Sequence, residues 1–195
     1  MSSPPRHPIA AVTTLVTLLA SALGFQDPEP QEREVTRAAM LRATIILKLA
    51  PYVSPDVPPE ARPARPHYRI AVVGNDDLAA AIVAQLPGKK VDKAPVLVAE
   101  LSERAAAAPP TPPDYELLYI AASVDDKTLA RIIAAHRQLP VLLICERSGF
   151  ARAGGGVQLF VQDNGVRFEV NQQALKDQGQ RASPELLKLS RRGPS

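Results

Sequence analysis

The chain has 195 residues, of which 46% are apolar, and its formal net charge is +3. This apolar content excludes a disordered chain, and a small net charge without a basic block argues against nucleic-acid binding. Aromatic residues make up only 4% and tryptophan is absent, so a folded core must be mainly aliphatic. Because Cys145 is the only cysteine, no disulfide can form within the chain.

The first 24 residues have the three-part pattern of a signal peptide. Arg6 supplies the positive start, Ile9 to Leu19 is the apolar run, and Ala20-Ser21-Ala22 fits the small-x-small cleavage rule. The run is shorter than the roughly 20 apolar residues of a membrane span. We therefore expect a signal peptide over residues 1–22, with a second candidate cut after residue 24 and a retained N-terminal anchor as the alternative. Since the leader's only charge is Arg6, the mature chain would carry +2.

The first element of the mature chain is predicted to be a helix from about Glu32 to Ala50, because apolar residues recur there at helical spacing. After Ala43 most of its circumference is apolar, which is typical of a helix buried on two sides, either by the rest of the chain or by a partner. Pro51 should end it. The six prolines of residues 51–66 predict an irregular, semi-rigid connection.

Strand and helix signals then alternate. The predicted strands are Tyr68–Val73, Val96–Leu101, Leu117–Ala121 and Val141–Cys145, and the predicted helices cover residues 78–86 and about 125–137. This alternation predicts an α/β fold with a mainly parallel central sheet flanked by helices. The almost wholly apolar fourth strand suits the centre of such a sheet.

The pattern changes after residue 156. Two short strands, Val157–Val161 and Val166–Val170, flank Asp163-Asn164-Gly165, and Asn-Gly favours the type I′ turn of a hairpin. A short helix, Gln172–Lys176, and a last helix capped by Ser183 with Pro184 in its first turn should follow. We therefore predict one α/β domain over residues 30–192, with a C-terminal β-hairpin and short terminal helices.

The residues able to do chemistry form no recognisable catalytic set. Gly74 lies between a strand and a helix, where phosphate loops sit, but it lacks the G-x-G-x-x-G spacing and a P-loop lysine, so a helix cap is favoured. Cys145 lies in an apolar strand, as a core residue does. His67 and His136 are far apart and have no accompanying cysteine pair. We predict no enzymatic activity, no cofactor and no metal.

The glycine run Gly154-Gly155-Gly156 leads directly into a predicted strand. Anion sites made by glycine loops usually open a helix, whose N-terminus attracts the charge. A tight approach of the chain to the hairpin is therefore favoured over an anion site.

Several segments resemble, in order, the YfiR family of periplasmic regulators. They are AAMLRATIILKLAPYV after the leader, RIAVVGNDD, LLYIAAS, and the long stretch that begins at PVLLICERSGF. The last stretch is the most specific, because Phe150, the glycines at 154–156, Phe160, RFEVN at 167–171 and LLKL at 186–189 fall where the family pattern places them. The resemblance covers about residues 35–192 and identifies the chain as similar to YfiR/HmsC-like proteins.

The resemblance implies an exported, non-catalytic regulator, periplasmic or secreted. Its founding type represses a membrane diguanylate cyclase by binding the periplasmic part of that enzyme, and related domains serve as sensor inputs. The implied partners here are a membrane signalling protein of diguanylate cyclase or sensor kinase type and a second copy of the chain. Family members often carry cysteines near the third strand and the glycine loop, whereas this chain has only Cys145, so control by an intrachain disulfide is not expected. The proline-rich loops would supply stiffness instead.

Loops held by a rigid scaffold carry function more often than cores do. The candidate interaction surface is therefore the glycine loop and the hairpin beside it: Phe150, Gly154, Gly155, Gly156, Phe160 and Asn171. The alternative for Phe150 is a ring that fills the core. A second hypothesis is a periplasmic small-ligand-binding or sensor module, with its ligand at the strand ends near Gly74, Ser123 and Arg147. An unrecognised hydrolase is the least favoured.

Overall fold

The computed structural model describes residues 36–58, 60, 65–163, 165–191 and 193. The predicted leader and the first residues of the first predicted helix lie outside the described residues. The described residues belong to one compact unit. Its helices are α1 (Arg37–Leu49), α2 (Asp76–Gln85), α3 (Glu103–Ala106), α4 (Asp126–Ala135), α5 (Gln172–Asp177) and α6 (Pro184–Leu189). Its strands are β1 (Val53–Pro55), β2 (Tyr68–Val73), β3 (Lys90–Val91), β4 (Ala94–Leu101), β5 (Leu117–Ile120), β6 (Leu142–Cys145), β7 (Val157–Gln162), β8 (Gly165–Val170) and β9 (Gln180–Ala182).

Seven strands form one sheet in the order β3-β4-β2-β5-β6-β7-β8. The pairs from β4 to β7 are parallel, and the two edge pairs, β3 with β4 and β7 with β8, are antiparallel. The predicted α/β fold with a mainly parallel sheet and a C-terminal hairpin is therefore confirmed. The last helix begins as predicted, with the Ser183 hydroxyl accepting from the Leu186 amide and Pro184 in the first turn.

Successive side chains of a strand point to opposite sides of the sheet, and helices bury both sides. We call the face that bears Ile70 and Leu117 the front face and the face that bears Ala71 and Leu118 the back face. Helices α1, α2, α5 and α6 contribute to the front core, whereas α3 and α4 contribute to the back core. The result is a three-layer domain whose central strands are apolar on both sides, as the sequence indicates.

Helix α1 is buried mainly by the chain itself. It begins at Arg37, with Thr36 as its N-cap, rather than at Glu32. One side enters the front core, and the next side faces α2, where the Gln85 side chain accepts from the Thr44 hydroxyl at 2.8 Å and donates to the Met40 carbonyl at 2.9 Å. Two-sided burial therefore comes from the sheet and α2. Among the described residues, no helix has both the length and the apolar character needed to cross a membrane.

The prediction that residues 51–66 form only an irregular connection was wrong at its start. A 3-10 turn over Ala50–Tyr52 continues α1, and β1 then pairs antiparallel with β9, with Val53 opposite Ala182. Strands of three residues are too short to show a periodic pattern, and each needs its distant partner to form. The two-residue β3 and the four-residue α3 were also missed, because each is too short to show a periodic pattern.

Candidate functional site

The glycine loop and the hairpin form one substructure, which we call the loop–hairpin unit: residues 147–156 with β7 and β8. Strand β6 pairs with β7 only through Ile144 opposite Val157 and Cys145 opposite Gln158. The rest of β7 therefore projects beyond the end of β6. At the turn, Asp163 has a positive φ of 52°, as a type I′ hairpin requires, while Asn164 lies outside the described residues.

Close packing or backbone conformation explains why each residue of the run 154–156 is a glycine. Phe150 is 1% exposed, and its ring lies so close to Gly155 that a Cβ there would be 2.1 Å from the ring atom Cε1. A Cβ on Gly156 would be 3.1 Å from the Leu143 carbonyl oxygen. Gly154 has a φ of 104°, which L side chains rarely adopt. The run lets the loop pack tightly over the back of the hairpin.

Two side chains of the hairpin region hold the peptide groups of Ala151. The Ala151 amide donates to Gln158 Oε1 at 3.3 Å, and its carbonyl accepts from Asn171 Nδ2 at 2.6 Å. Asn171 also caps α5, since its Oδ1 accepts from the Ala174 amide at 2.9 Å. Sequence analysis missed Gln158, and the signal for it was a polar residue in the apolar part of a strand.

The structure thus places five of the six predicted surface residues in the loop–hairpin unit and Asn171 directly after it, but most of them lie below the surface. Phe150, Gly155 and Gly156 are buried, Phe160 is 9% exposed, and Gly154 and Asn171 are half-buried. The exposed residues of the unit are their neighbours. Val161, at the end of β7, is 76% exposed on the front face of the sheet.

At the C-terminal ends of β2 and β5, where the strand order reverses, the two segments that follow these strands contact each other. The Ser123 hydroxyl donates to the Gly74 carbonyl at 3.3 Å, and a Cβ on Gly74 would be 3.1 Å from Val124 Cγ2. Asn75 caps α2 by accepting from the Leu78 amide, which confirms the predicted helix cap. Gly74 and Ser123 are both exposed, so a ligand near them and Arg147 stays a prediction.

Arg147 is likewise engaged with its neighbours. It forms an ion pair with Asp126, at the start of α4, and donates to the Ala122 carbonyl at 2.8 Å. This side chain therefore fastens the start of the glycine loop to the loop after β5.

An open cavity of about 650 Å³ lies at the opposite ends of the strands. Its wall combines apolar side chains with the ion pair of Arg65 and Glu116 and with Lys93, in the turn after β3. The remaining wall residues are Val53, Pro55, Pro66, His67, Tyr68, Val91, Asp92, Ala94, Pro95, Pro140 and Gln180. A cavity of this size can hold a small organic molecule.

The buried groups Cys145 and His136 are enclosed by the protein core. Burial raises the pKa of the Cys145 thiol, so this side chain stays protonated and unreactive at neutral pH. His136 is fully buried, with its Nε2 2.8 Å from the Tyr115 hydroxyl and its Nδ1 2.8 Å from the Ile132 carbonyl oxygen. Within the part of the chain that the structure describes, no group of three or more histidine, cysteine, aspartate or glutamate side chains could hold a metal ion.

Residues 39–191 match the model of a protein family described as YfiR/HmsC-like. The chain belongs to the YfiR/HmsC-like family. The match includes the whole loop–hairpin unit and the cavity wall, and it confirms the resemblance seen in the sequence. Members of the family are periplasmic, non-catalytic regulators in cyclic di-GMP signalling. A comparison with curated proteins found no significant match.

Proposed function

We propose that this protein is an exported, non-enzymatic regulator that binds the extracytoplasmic part of a membrane signalling protein, of diguanylate cyclase or sensor kinase type, and that it represses a cyclase. The observation that carries the proposal is the family match over residues 39–191. The signal-peptide pattern of residues 1–22 supports export. The inert surroundings of Cys145 and His136 agree with a role in binding rather than in catalysis.

We propose the loop–hairpin unit as the partner surface. Its hairpin extends past the end of β6, so it can reach another protein without rearrangement of the domain. Val161 is a large apolar residue exposed to 76%, and such residues supply binding energy when a partner covers them. Phe150 and the three glycines would not contact the partner themselves. They would fix the position of the loop that supports the hairpin.

The N-terminal half of α1 would extend this surface. Arg42 forms an ion pair with Glu146, the residue that follows β6, so this part of α1 lies at the end of the sheet from which the hairpin projects. Leu41, beside it, is 51% exposed. A partner that covers both Leu41 and Val161 would bury apolar surface on two separate elements.

The experiment is recovery of the protein with its partners from cross-linked cell envelopes. We expect the wild type to recover a membrane protein with a cyclase or kinase domain, and Val161→Asp to recover several-fold less of it. Val83→Asp is the matched control, because Val83 is also an exposed valine, at 54%, but lies on α2. Absence of any membrane partner, or an intact N-terminus on cytosolic protein, would contradict the proposal.

A second candidate function is favoured by the cavity of about 650 Å³ at the N-terminal ends of the strands. A small molecule bound there would contact the proline-rich connection and the β3–β4 turn, so the protein would act as a small-ligand-binding or sensor module. A thermal-shift screen of envelope metabolites tests this function. A shift abolished by Tyr68→Ala but retained in Val161→Asp would place the ligand in this cavity.

A further inference from the structure

The wall of the cavity contains a polar side chain that lacks a partner. Among the described residues, the Oε1 atom of Gln180 is buried and accepts no hydrogen bond, and the residue as a whole is only 6% exposed. Buried carbonyl oxygens nearly always accept a hydrogen bond, because an unpaired one has lost its water without replacement. Such a group beside an open cavity suits a bound molecule that donates a hydrogen bond.

The pairing of β1 with β9 shows on which side the Gln180 side chain lies. Gln180 is directly opposite Pro55, and opposite residues of an antiparallel pair have their side chains on the same side. Val53, two residues before Pro55, lies on that side too. All three belong to the cavity wall, so the Gln180 side chain lies on the cavity side of this pair of strands. Its Oε1 is covered in the free protein, and a turn about the soft terminal torsion of glutamine brings it to the cavity.

The rest of the wall favours an uncharged molecule. Its apolar part includes four prolines, at positions 55, 66, 95 and 140. The charged side chains of the wall balance each other, because Arg65 and Glu116 form an ion pair and Lys93 follows Asp92 in the turn after β3. A carboxylate ligand has no hydrogen to donate to Gln180 Oε1, so its own charge would gain nothing from that atom.

We propose that the cavity binds an uncharged, mainly apolar molecule that donates one hydrogen bond, from a hydroxyl or an amide N–H, to Gln180 Oε1. This inference rests on the second candidate function given above and names the class of its ligand. The hydrogen bond discriminates between ligands, since one without the donor leaves the acceptor buried and unpaired. The apolar body of the ligand is held by the proline-lined wall, from which it displaces water.

The experiment compares two naphthalene probes of similar shape on the purified protein. 2-Naphthol has a hydroxyl donor, whereas in 2-methoxynaphthalene a methyl group replaces the hydrogen that would be donated. Because the chain has no tryptophan, the fluorescence anisotropy of each probe can be followed while protein is added. We expect 2-naphthol to bind with a dissociation constant below about 1 mM, and at least about tenfold more tightly than 2-methoxynaphthalene. The anion 2-naphthoate should bind more weakly than 2-naphthol.

Substitution of Gln180 tests whether its side chain causes this preference. Gln180→Leu removes the acceptor, so the dissociation constants of 2-naphthol and 2-methoxynaphthalene should become equal within about threefold. Gln178→Leu is the matched control, because Gln178 is also a buried glutamine with an unpaired Oε1, at 3% exposure, but lies outside the cavity wall. This control should keep the preference of the wild type.

The wild-type comparison keeps the test decisive if Gln180→Leu does not fold. Equal binding of 2-naphthol and 2-methoxynaphthalene, or tighter binding of 2-naphthoate, would overturn this inference and leave a binding module of another specificity. A preference for 2-naphthol that persists in Gln180→Leu would overturn the assignment to Gln180. Failure of all three probes to bind would also overturn the inference, whereas the second candidate function is decided separately by the thermal-shift screen.

Discussion

Substitution of Gly155 by alanine tests whether the glycine run exists for packing. The added methyl carbon would lie 2.1–2.4 Å from three atoms of the Phe150 ring, whereas carbon atoms in contact are normally about 3.5–4.0 Å apart. The ring must therefore move by more than 1 Å inside a core where it is 1% exposed. Overpacking of this kind costs about 1–3 kcal/mol, and three simultaneous overlaps place Gly155→Ala near the upper end.

The assay is urea unfolding at neutral pH, read as the free energy of unfolding, with the melting temperature as a second measure. A loss of about 3 kcal/mol should lower the melting temperature by roughly 6–12 °C for a domain of this size. The control is Gly149→Ala, in the same loop. Gly149 also has a positive φ, of 76°, but a Cβ there meets nothing within 4 Å, so only backbone strain of about 1 kcal/mol is expected.

A double-mutant cycle with Phe150→Ala makes the reasoning refutable. Phe150→Ala alone should cost about 3–5 kcal/mol, because it leaves a cavity in the back core. In the double variant the alanine methyl enters that cavity without a clash, so the combined loss should be smaller than the sum by at least about 1 kcal/mol. Additive losses, or a Gly155→Ala loss no larger than that of Gly149→Ala, would show that contact with Phe150 is not the reason for the glycine.

Three further predictions concern His136, Asn171 and Cys145. Because burial lowers the pKa of His136, the unfolded chain takes up a proton more readily than the folded one, so stability should fall as pH drops below about 6.5. In His136→Phe, the free energy of unfolding measured in urea should depend less on pH between about pH 6.5 and 5. An unchanged slope of this free energy against pH would contradict the prediction. Asn171→Ala should lower the free energy of unfolding by about 2 kcal/mol, since it removes both the α5 cap and the hydrogen bond to the Ala151 carbonyl. A loss below about 0.5 kcal/mol, the cost of removing an exposed helix cap alone, would argue against a contribution from the hydrogen bond to Ala151. The melting temperature should not change with reductant, since Cys145 is the only cysteine and is buried, and a large drop would disprove the idea that the chain is stabilised without disulfides.

The pH prediction depends on which nitrogen of His136 carries the proton. The Ile132 carbonyl can only accept a hydrogen bond, so Nδ1 is the donor and Nε2 accepts from the Tyr115 hydroxyl. Burial raises the pKa of Tyr115 to about 12, which keeps that hydroxyl protonated across the range of the experiment. Protonation of Nε2 would place two donors against each other in the back core, and this is why the folded state resists it.

The sequence by itself determined the elements whose signals are local. Tyr68–Val73 was predicted with the bounds that the structure shows, because a run of β-formers ended by a glycine is complete within a few residues. The hairpin was predicted from Asp163-Asn164-Gly165, although Gly165 belongs to β8 and pairs with Gln162, so the turn lies one residue earlier than an Asn-Gly turn would. The last helix was predicted from Ser183-Pro184, since capping acts over three or four residues. The alternation of these elements was enough for the α/β class and the parallel sheet.

Only the tertiary structure decided what depends on distant partners. The pairing of β1 with β9 joins segments far apart in the chain, and neither has a signal of its own. Phe150 was equally compatible with a surface and with a core until its ring was found against Gly155, and Gln158 gained a role only from the loop that folds over it. The physical reason is that local preferences depend on neighbours in sequence, whereas burial, strand order and free edges depend on which segments meet in space.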